Sequence, residues 1–224
     1  TFKKIWWRLL FASYALVYLP WFFFLESKIT KDYPNLHIIN GPLDDMIPFC
    51  EVFIIPYFLW FAYIVASCVI MMLKADNQEF IRFALSLIIG MSLCMVICMV
   101  YPNGLTLRPD TLPDNVFGRL VAGLYSTDTP TNVFPSIHVY NSIAVHTALS
   151  KCKALKNHKG LLTGSLILCI LICMSTVFLK QHSLYDVGGA FVLMGVMYYV
   201  LYILPERRAQ RQAENEKHYV SADE

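Results

Sequence analysis

The sequence predicts an all-α, polytopic membrane protein, and three observations support this. Hydrophobic residues make up 57% of the 224 residues, and the mean hydropathy is +0.51. Several apolar stretches reach the roughly 20 residues that a helix needs to cross a bilayer. Basic residues are concentrated in short segments between those stretches, and the formal net charge is only +2. Because they form no dense basic face, the sequence argues against nucleic acid as a partner.

We expect a bundle of six membrane-spanning helices. The expected spans are residues 5–25, 49–73, 80–100, 135–149, 161–179 and 184–204. The fourth span is unusually polar, since it contains Ser136, His138, Asn141 and His146. We expect these residues to face protein or a water-filled pocket, because lipid offers polar groups no partners. His146, two turns beyond His138, is expected to bond to a neighbouring helix.

The distribution of basic residues supports the fourth span. With six spans, thirteen of the eighteen Lys and Arg residues lie on one side of the membrane. Without the fourth span, the basic cluster at 151–159 would move to the other side. Under the positive-inside rule the basic side is cytoplasmic, so both termini are expected in the cytoplasm. Residues 1–205 then form a single six-helix membrane domain, and residues 206–224 form a charged cytoplasmic tail.

Two long segments between expected spans lie on the extracytoplasmic side. The first, residues 26–48, contains Asp44 and Asp45. We expect one of two roles for these carboxylates. Either one of them caps the second span, with Pro48 in its first turn, or they contact a hydroxylated head group or acceptor. In the second segment, residues 102–134, apolar residues at helical spacing predict a short helix in the membrane interface.

The sequence predicts neither a disulfide framework nor a metal site. Seven cysteines are present, most of them inside expected spans, and their odd number and irregular spacing argue against structural disulfides. No cluster of His, Cys and carboxylate residues in the sequence resembles a zinc or two-metal site. We therefore expect chemistry without a metal or another cofactor.

Three short strings carry the chemistry, because each lies at the extracytoplasmic edge of an expected span. They are Leu107-Arg108-Pro109, Pro135-Ser136-Ile137-His138 and His182-Ser183-Leu184-Tyr185-Asp186. A spacing of four places His182 and Asp186 side by side on a helix. The carboxylate can then hold one imidazole nitrogen and leave the other free to attack phosphorus.

The other two strings supply what a phosphate ester needs. Its negative oxygens require cations or oriented N–H groups, and Arg108 offers a bidentate fork. A helix with Pro135 in its first turn presents backbone N–H groups to an anion, and Ser136 adds a donor. His138 would protonate the leaving oxygen and then activate water. The alternative without catalysis is a lipid or small-solute transporter, although the sequence contains no pair of matching halves.

The order Arg-Pro, Pro-Ser-x-His and Ser-x₆-His-x₃-Asp resembles the PAP2 (type 2 phosphatidic acid phosphatase) superfamily. The resemblance covers about residues 101–190, and Ser175, His182 and Asp186 fit its third motif. It implies a six-helix membrane core with an external active site. It also implies that His182 is the nucleophile, that His138 is the acid, and that Ser175 belongs to the phosphate-binding set.

The chain departs from the phosphatase pattern at three positions. Tyr101 stands where a lysine is usual, Thr176 where an arginine follows the motif serine, and Ile137 where the second motif has glycine. Two expected cations are therefore missing. Either Lys180 replaces one of them, or the substrate phosphate carries less charge, as a phosphodiester does. Pro-Ser-Ile-His is also similar to the Pro-Ser-Leu-His of inositol phosphorylceramide synthases, and sphingomyelin synthases depart from the phosphatase pattern as well.

We expect a lipid phosphatase that works through phosphohistidine at the extracytoplasmic face of a bacterial plasma membrane. Bacterial relatives with altered motifs are usually regarded as phosphatases, which favours hydrolysis. The alternative is a phosphotransferase that moves a phosphorylated head group from a phosphodiester lipid to an alcohol. Tyr101, Asp44, Asp45 and Asn141 are candidates for contacts to the head group or acceptor. A membrane lipid is the expected partner, and the sequence leaves its identity open.

Overall fold

The computed structural model describes residues 6–222, with side chains as far as residue 215. The helices are α1 Leu9–Ala12, α2 Ala15–Lys28, α3 Pro42–Asp45, α4 Ile54–Lys74, α5 Asn77–Val100, α6 Val116–Thr127, α7 Ile137–Lys151, α8 Lys159–Phe178, α9 Leu184–Tyr198 and α10 Leu204–Ala222. Short 3₁₀ turns precede α1 and α4 and follow α7, and a π-helical turn joins α9 to α10. The first residue of the first expected span and the end of the charged tail lie outside the described residues.

Five helical segments are long and apolar enough to cross a membrane. They are Trp6–Lys28, Glu51–Lys74, Asn77–Val100, Lys159–Phe178 and Leu184–Asn215. The fourth expected span corresponds to α7, whose 15 residues rise about 22 Å, against a hydrocarbon core of roughly 30 Å. Within the described residues, five of the six expected spans therefore have the length and composition of membrane helices, and the all-α class is confirmed.

Helix α7 occupies the centre of the bundle. It packs against α4, α5, α8 and α9, and eight of its fifteen residues are buried, Asn141 and Ser142 among them. Its buried polar residues therefore face protein, as the sequence predicts. The contact with α5 is close, since a Cβ added at Gly90 would lie 2.0 Å from the Tyr140 ring. The Tyr140 hydroxyl donates to the Ser86 carbonyl at 2.7 Å across the same contact.

Lower in α7, His146 is bonded to a neighbouring helix, as the sequence predicts. Its Nδ1 lies 3.0 Å from the Ser165 hydroxyl of α8, and that hydroxyl lies 2.7 Å from the hydroxyl of Tyr63 on α4. His146 therefore joins three helices through one hydroxyl group, and its imidazole belongs to the packing of the bundle.

The three strings lie at one end of the bundle, here called the motif end. The two long segments, residues 26–48 and 102–134, pair with each other there. Strand β1, His37–Ile38, runs parallel to β2, Asn103–Gly104, and β2 also bridges to Thr131. The short helix expected in the second segment is present as α6. Its Val121 and Leu124 are buried in a cluster with residues at the start of α4. The motif end is therefore a folded cap over the ends of the helices.

Candidate active site

The third string forms the start of α9. Ser183 is the residue that caps this helix: its hydroxyl accepts a hydrogen bond from the Asp186 N–H, and the Asp186 carboxylate accepts one from the Ser183 N–H at 2.8 Å. His182 therefore precedes the helix, and the expectation that it shares a helix face with Asp186 is wrong. The two side chains meet across the cap instead, with His182 Nδ1 3.4 Å from the Asp186 carboxylate.

This geometry leaves one imidazole nitrogen for chemistry. Asp186 is fully buried, and its carboxylate lies against the Nδ1 side of His182 at a distance longer than a normal hydrogen bond, so Nε2, on the other side of the ring, is the nitrogen left for chemistry. The turn before the helix is also fixed, because the N–H groups of Gln181 and His182 both donate to the Thr176 carbonyl at 3.0 Å. The backbone and the capping box together set the direction of the imidazole.

The second string begins α7. Ser136 caps the helix, with its hydroxyl accepting from the Val139 N–H at 3.4 Å, and the first helical residue is Ile137. The expectation that Pro135 lies in the first turn is therefore wrong by two residues. Ser136 is fully buried, and its N–H donates to the Asp186 carbonyl at 3.2 Å. This backbone hydrogen bond joins the second string directly to the third.

His138 faces His182 from the first turn of α7. The two ring centroids lie 5.8 Å apart. Tyr57 and Trp60, on α4, hold the His138 ring with centroid distances of 4.6 and 4.4 Å. One turn further along α7, the buried Asn141 has a side-chain oxygen without a partner among the described residues. Sequence reasoning missed both aromatic residues, although their spacing of three on the second span places them on one helix face.

Arg108, from the first string, lies against the turn that carries His182. Its Nη2 donates to the Gln181 side-chain oxygen at 2.6 Å and to the Asp128 carbonyl at 2.7 Å, and its Nη1 donates to the Tyr125 carbonyl at 3.2 Å. The guanidinium also lies 4.3 Å from the centre of the Tyr125 ring. Burial lowers the pKa of Arg108, while the charge of Asp128 raises it. The structure thus brings the three strings together, with Gln181 as the link.

Asp128, which sequence reasoning also missed, adds a carboxylate beside Arg108. Its Oδ2 accepts hydrogen bonds from the Tyr57 hydroxyl at 3.1 Å and from the Gln181 amide at 2.9 Å. Burial raises the pKa of Asp128, and the nearby charges of His182 and Arg108 oppose that increase. No local pattern marks this residue, because its partners are 53 and 71 positions away in the chain.

Lys180 lies elsewhere. Its ammonium group donates to the carbonyls of Asp44 and Ile47, both at 2.6 Å, and its backbone adopts a left-handed conformation with φ of 53°. Burial lowers the pKa of Lys180, and the charges of Asp44 and Asp45 oppose that decrease. This placement ties Lys180 to the first long segment, and it gives no support to a role as the missing phosphate cation.

Asp44 is a structural cap in this arrangement. Its carboxylate accepts from the Gly41 N–H at 2.8 Å, within α3, and from the Leu184 N–H at 2.7 Å, in the first turn of α9. It therefore caps its own short helix and α9. The expectation that an aspartate here caps the second span, with Pro48 in its first turn, is wrong, because the 3₁₀ turn that leads into α4 begins only at Glu51. Asp45 is exposed.

Ser175 and Tyr101 make contacts that anchor them in the scaffold. Ser175 is fully buried in α8, and its hydroxyl donates to the Ile172 carbonyl at 2.7 Å. Tyr101 stacks on His37 with a centroid distance of 4.1 Å, next to the paired strands. Their expected contacts to phosphate and head group stay predictions.

The fold and the site together define an α-helical membrane protein in which two histidines, a carboxylate and an arginine converge at one end of the bundle. The model of the PAP2 superfamily matches residues 79–210, which is more than half of the chain, and the protein belongs to this superfamily. Its members are generally phosphatases or phosphotransferases. Comparisons with curated proteins and with solved structures gave no match. The matched region contains all three strings, and the likeness to the synthase branches stays a prediction.

Proposed function

We propose that the protein is a lipid phosphate phosphatase of the bacterial plasma membrane, with six spans, cytoplasmic termini and an extracytoplasmic active site. The observation that supports this most strongly is the approach of His138 and His182, at 5.8 Å between ring centroids, beside Arg108. Reacting atoms in a productive complex lie about 3–3.5 Å apart. The two imidazoles are therefore close enough to act on the same phosphorus centre.

In the first step, the lone pair of His182 Nε2 attacks phosphorus, and the bond between phosphorus and the lipid oxygen breaks. His138, in its protonated form, gives its proton to that oxygen, so the lipid leaves as an alcohol. Asp186 keeps Nδ1 of His182 oriented and stabilises the positive charge that forms on the ring. Arg108 supplies charge for the phosphoryl oxygens.

In the second step, His138 takes a proton from water as the water oxygen attacks phosphorus. The bond between phosphorus and His182 Nε2 then breaks, which releases phosphate and returns His138 to its protonated form. The two steps balance protons without a metal ion. His138 lies in the first turn of α7 and His182 in the turn before α9, so the two roles fall to different segments.

The second candidate is a phosphotransferase, in which an alcohol replaces water in the second step. The placement of Lys180 favours this candidate, because its ammonium lies against the first long segment, whereas Arg108 lies against the turn that carries His182. The assigned phosphate site then has one cation, Arg108. A phosphodiester, with one negative charge, suits that site better than a phosphomonoester with nearly two.

Purified protein in lipid vesicles tests the proposal. Phosphatidic acid, phosphatidylglycerol phosphate and phosphatidylglycerol are supplied separately, with and without an added alcohol, and the products are identified by mass spectrometry. We expect the unaltered protein to turn over at least one of these lipids. His182→Ala should abolish this turnover, and His146→Ala, which also removes an imidazole, should retain it. Undiminished turnover by His182→Ala would refute the proposed function.

A further inference from the structure

Asp128 places a negative charge where a phosphate-binding site would be expected to have only cations. It lies within electrostatic reach of both His182 and Arg108. Like charges at such short range oppose binding, and a dianionic phosphomonoester would feel this repulsion most strongly. A residue of this kind indicates that the ligand brings something other than negative charge to the site.

The two carboxylate oxygens of Asp128 differ. Oδ2 is fully used by the Tyr57 hydroxyl and the Gln181 amide. Oδ1 accepts no hydrogen bond from the described residues, and it is not among the polar atoms that are sealed from solvent without a partner. One oxygen of this carboxylate therefore has no protein donor among the described residues and is not fully sealed from solvent.

Gln181 fixes the position of that oxygen relative to the reacting group. Its side-chain oxygen accepts from Arg108 at 2.6 Å, its amide donates to Asp128 at 2.9 Å, and it directly precedes His182 in the chain. The orientation of Asp128 is thus linked through one amide to the arginine and to the turn that carries the nucleophile.

The surroundings select the kind of donor that can use the open oxygen. An ionised carboxylate only accepts hydrogen bonds, so its ligand must donate one. An ammonium group would be repelled by the Arg108 guanidinium beside it and by a protonated histidine. A hydroxyl group donates without carrying charge and meets neither obstacle.

We propose that Asp128 binds an alcohol hydroxyl next to the phosphate, so that the site selects phosphodiester chemistry accompanied by a hydroxyl donor. This inference rests on the phosphohistidine chemistry of the proposed function, and it favours the second candidate, the phosphotransferase, over hydrolysis of a phosphomonoester. The hydroxyl belongs either to the polyol head group of the substrate lipid or to a separate alcohol that accepts the phosphorylated group. In both cases the carboxylate positions a hydroxyl beside the phosphorus that His182 attacks.

The test uses Asp128→Asn in the full-length protein, which keeps the shape of the side chain and removes its charge. Asp114→Asn is the matched control, because Asp114 lies in the same segment but is exposed and paired with Arg119. The smaller neutral variant Asp128→Ser is measured in parallel, so that a folding defect in one variant leaves the other. Thermal unfolding is recorded for all variants.

One arm compares phosphatidylglycerol with phosphatidylpropanol, whose head group has no free hydroxyl. If the head group supplies the hydroxyl, Asp128→Asn lowers kcat/KM for phosphatidylglycerol about tenfold more than for phosphatidylpropanol. A second arm uses phosphatidylpropanol with added glycerol. If the acceptor supplies the hydroxyl, Asp128→Asn instead lowers the ratio of transfer to hydrolysis about tenfold.

Phosphatidic acid is the third substrate, and Asp128→Asn should lower its turnover by a smaller factor than that of phosphatidylglycerol, because removal of the opposing charge offsets part of the loss. An equal loss on every substrate and acceptor, or no loss on any, would overturn the inference while leaving the dependence on His182 intact. Absence of lipid turnover by the unaltered protein would instead overturn the proposed function and this inference with it.

Discussion

A buried arginine at one end of the bundle and a half-buried arginine at the other bind backbone carbonyls in similar ways. Arg8 donates to the carbonyls of Met72 at 2.7 Å and Ala75 at 3.0 Å, and its guanidinium lies 4.8 Å from the centre of the Phe80 ring. Arg108 also combines carbonyl partners with an aromatic ring. In both residues Nε is buried without a partner among the described residues.

The surroundings of the two arginines differ. Arg8 closes the C-terminal end of α4, where unpaired carbonyls and the helix dipole attract a cation, and it also donates to the side-chain oxygen of Asn77 at 2.9 Å. Arg108 instead shares Gln181 with a carboxylate and lies next to the turn of His182. The same type of side chain thus caps a helix at one end and belongs to the candidate active site at the other. What distinguishes the two is the chemistry of the neighbouring side chains.

The largest expected difference in catalysis between the two ends concerns the capping boxes that begin α9 and α5. Asp186 and Glu79 both occupy the third helical position of such a box, but only Asp186 holds an imidazole. We expect Asp186→Asn to lower kcat by at least about a hundredfold, because the imidazole loses its orienting anion. Glu79→Gln should retain most of kcat. Steady-state kinetics of both variants decide this, and near-normal turnover by Asp186→Asn would contradict the assigned role.

The next effect concerns the arginines. Arg108→Lys removes the planar fork, and we expect kcat/KM to fall about ten- to a hundredfold with a small change in thermal stability. Arg8→Lys should do the reverse, with a midpoint of thermal unfolding lowered by several degrees and kcat retained. Both quantities are measured on both variants. A catalytic loss in Arg8→Lys that equals the loss in Arg108→Lys would remove the distinction between the two ends.

Lys180 gives a smaller effect that sharpens the assignment of charge at the motif end. In Lys180→Met the two hydrogen bonds to loop carbonyls are lost, which should lower the free energy of unfolding by about 1–3 kcal/mol. Turnover of a phosphomonoester and of a phosphodiester should change by the same factor, because the ammonium positions the loop. A loss confined to the monoester would show that Lys180 neutralises the phosphate.

The smallest effects are expected in the short helix α3. Asp44→Asn weakens two caps and should lower stability by about 1 kcal/mol. Asp45→Asn changes an exposed side chain and should stay within about 0.5 kcal/mol of the unaltered protein. Thermal unfolding of the pair tests this difference. A larger catalytic defect in Asp45→Asn than in Asp44→Asn would point to a head-group contact instead of a cap.

The sequence was sufficient to predict the class of fold and that the three strings meet at one end of the bundle, because both depend on short-range patterns. Apolar stretches and charge bias located the helices, including α7, which is too short and polar for hydropathy alone. The spacing of His182 and Asp186 predicted their pairing, although a capping box produces it in place of a shared helix face. To predict such a box, one must know that Ser183 is the N-cap residue and where the helix starts. The spacing of His182 and Asp186 determines neither.

The rest of the site could not be predicted because it depends on contacts between distant segments. Tyr57 and Trp60 meet His138 only after α4 packs against α7. Asp128 reaches Tyr57 and Gln181 only after the second long segment folds over the ends of the helices. Lys180 illustrates the same limit: its position beside the motif suggested a phosphate ligand, but the first long segment provides carbonyls that bind its ammonium group. Local sequence contains no information about which partner such a side chain will reach.

The most direct test of the central claim is to trap the covalent intermediate. The unaltered protein is quenched in base during turnover of a lipid labelled in its phosphate, and the labelled peptide is identified by mass spectrometry. We predict a base-stable, acid-labile label on His182 that is absent from His182→Ala and present in His146→Ala. A label that persists in His182→Ala, or that maps to another residue, would contradict the assignment of His182 as the nucleophile.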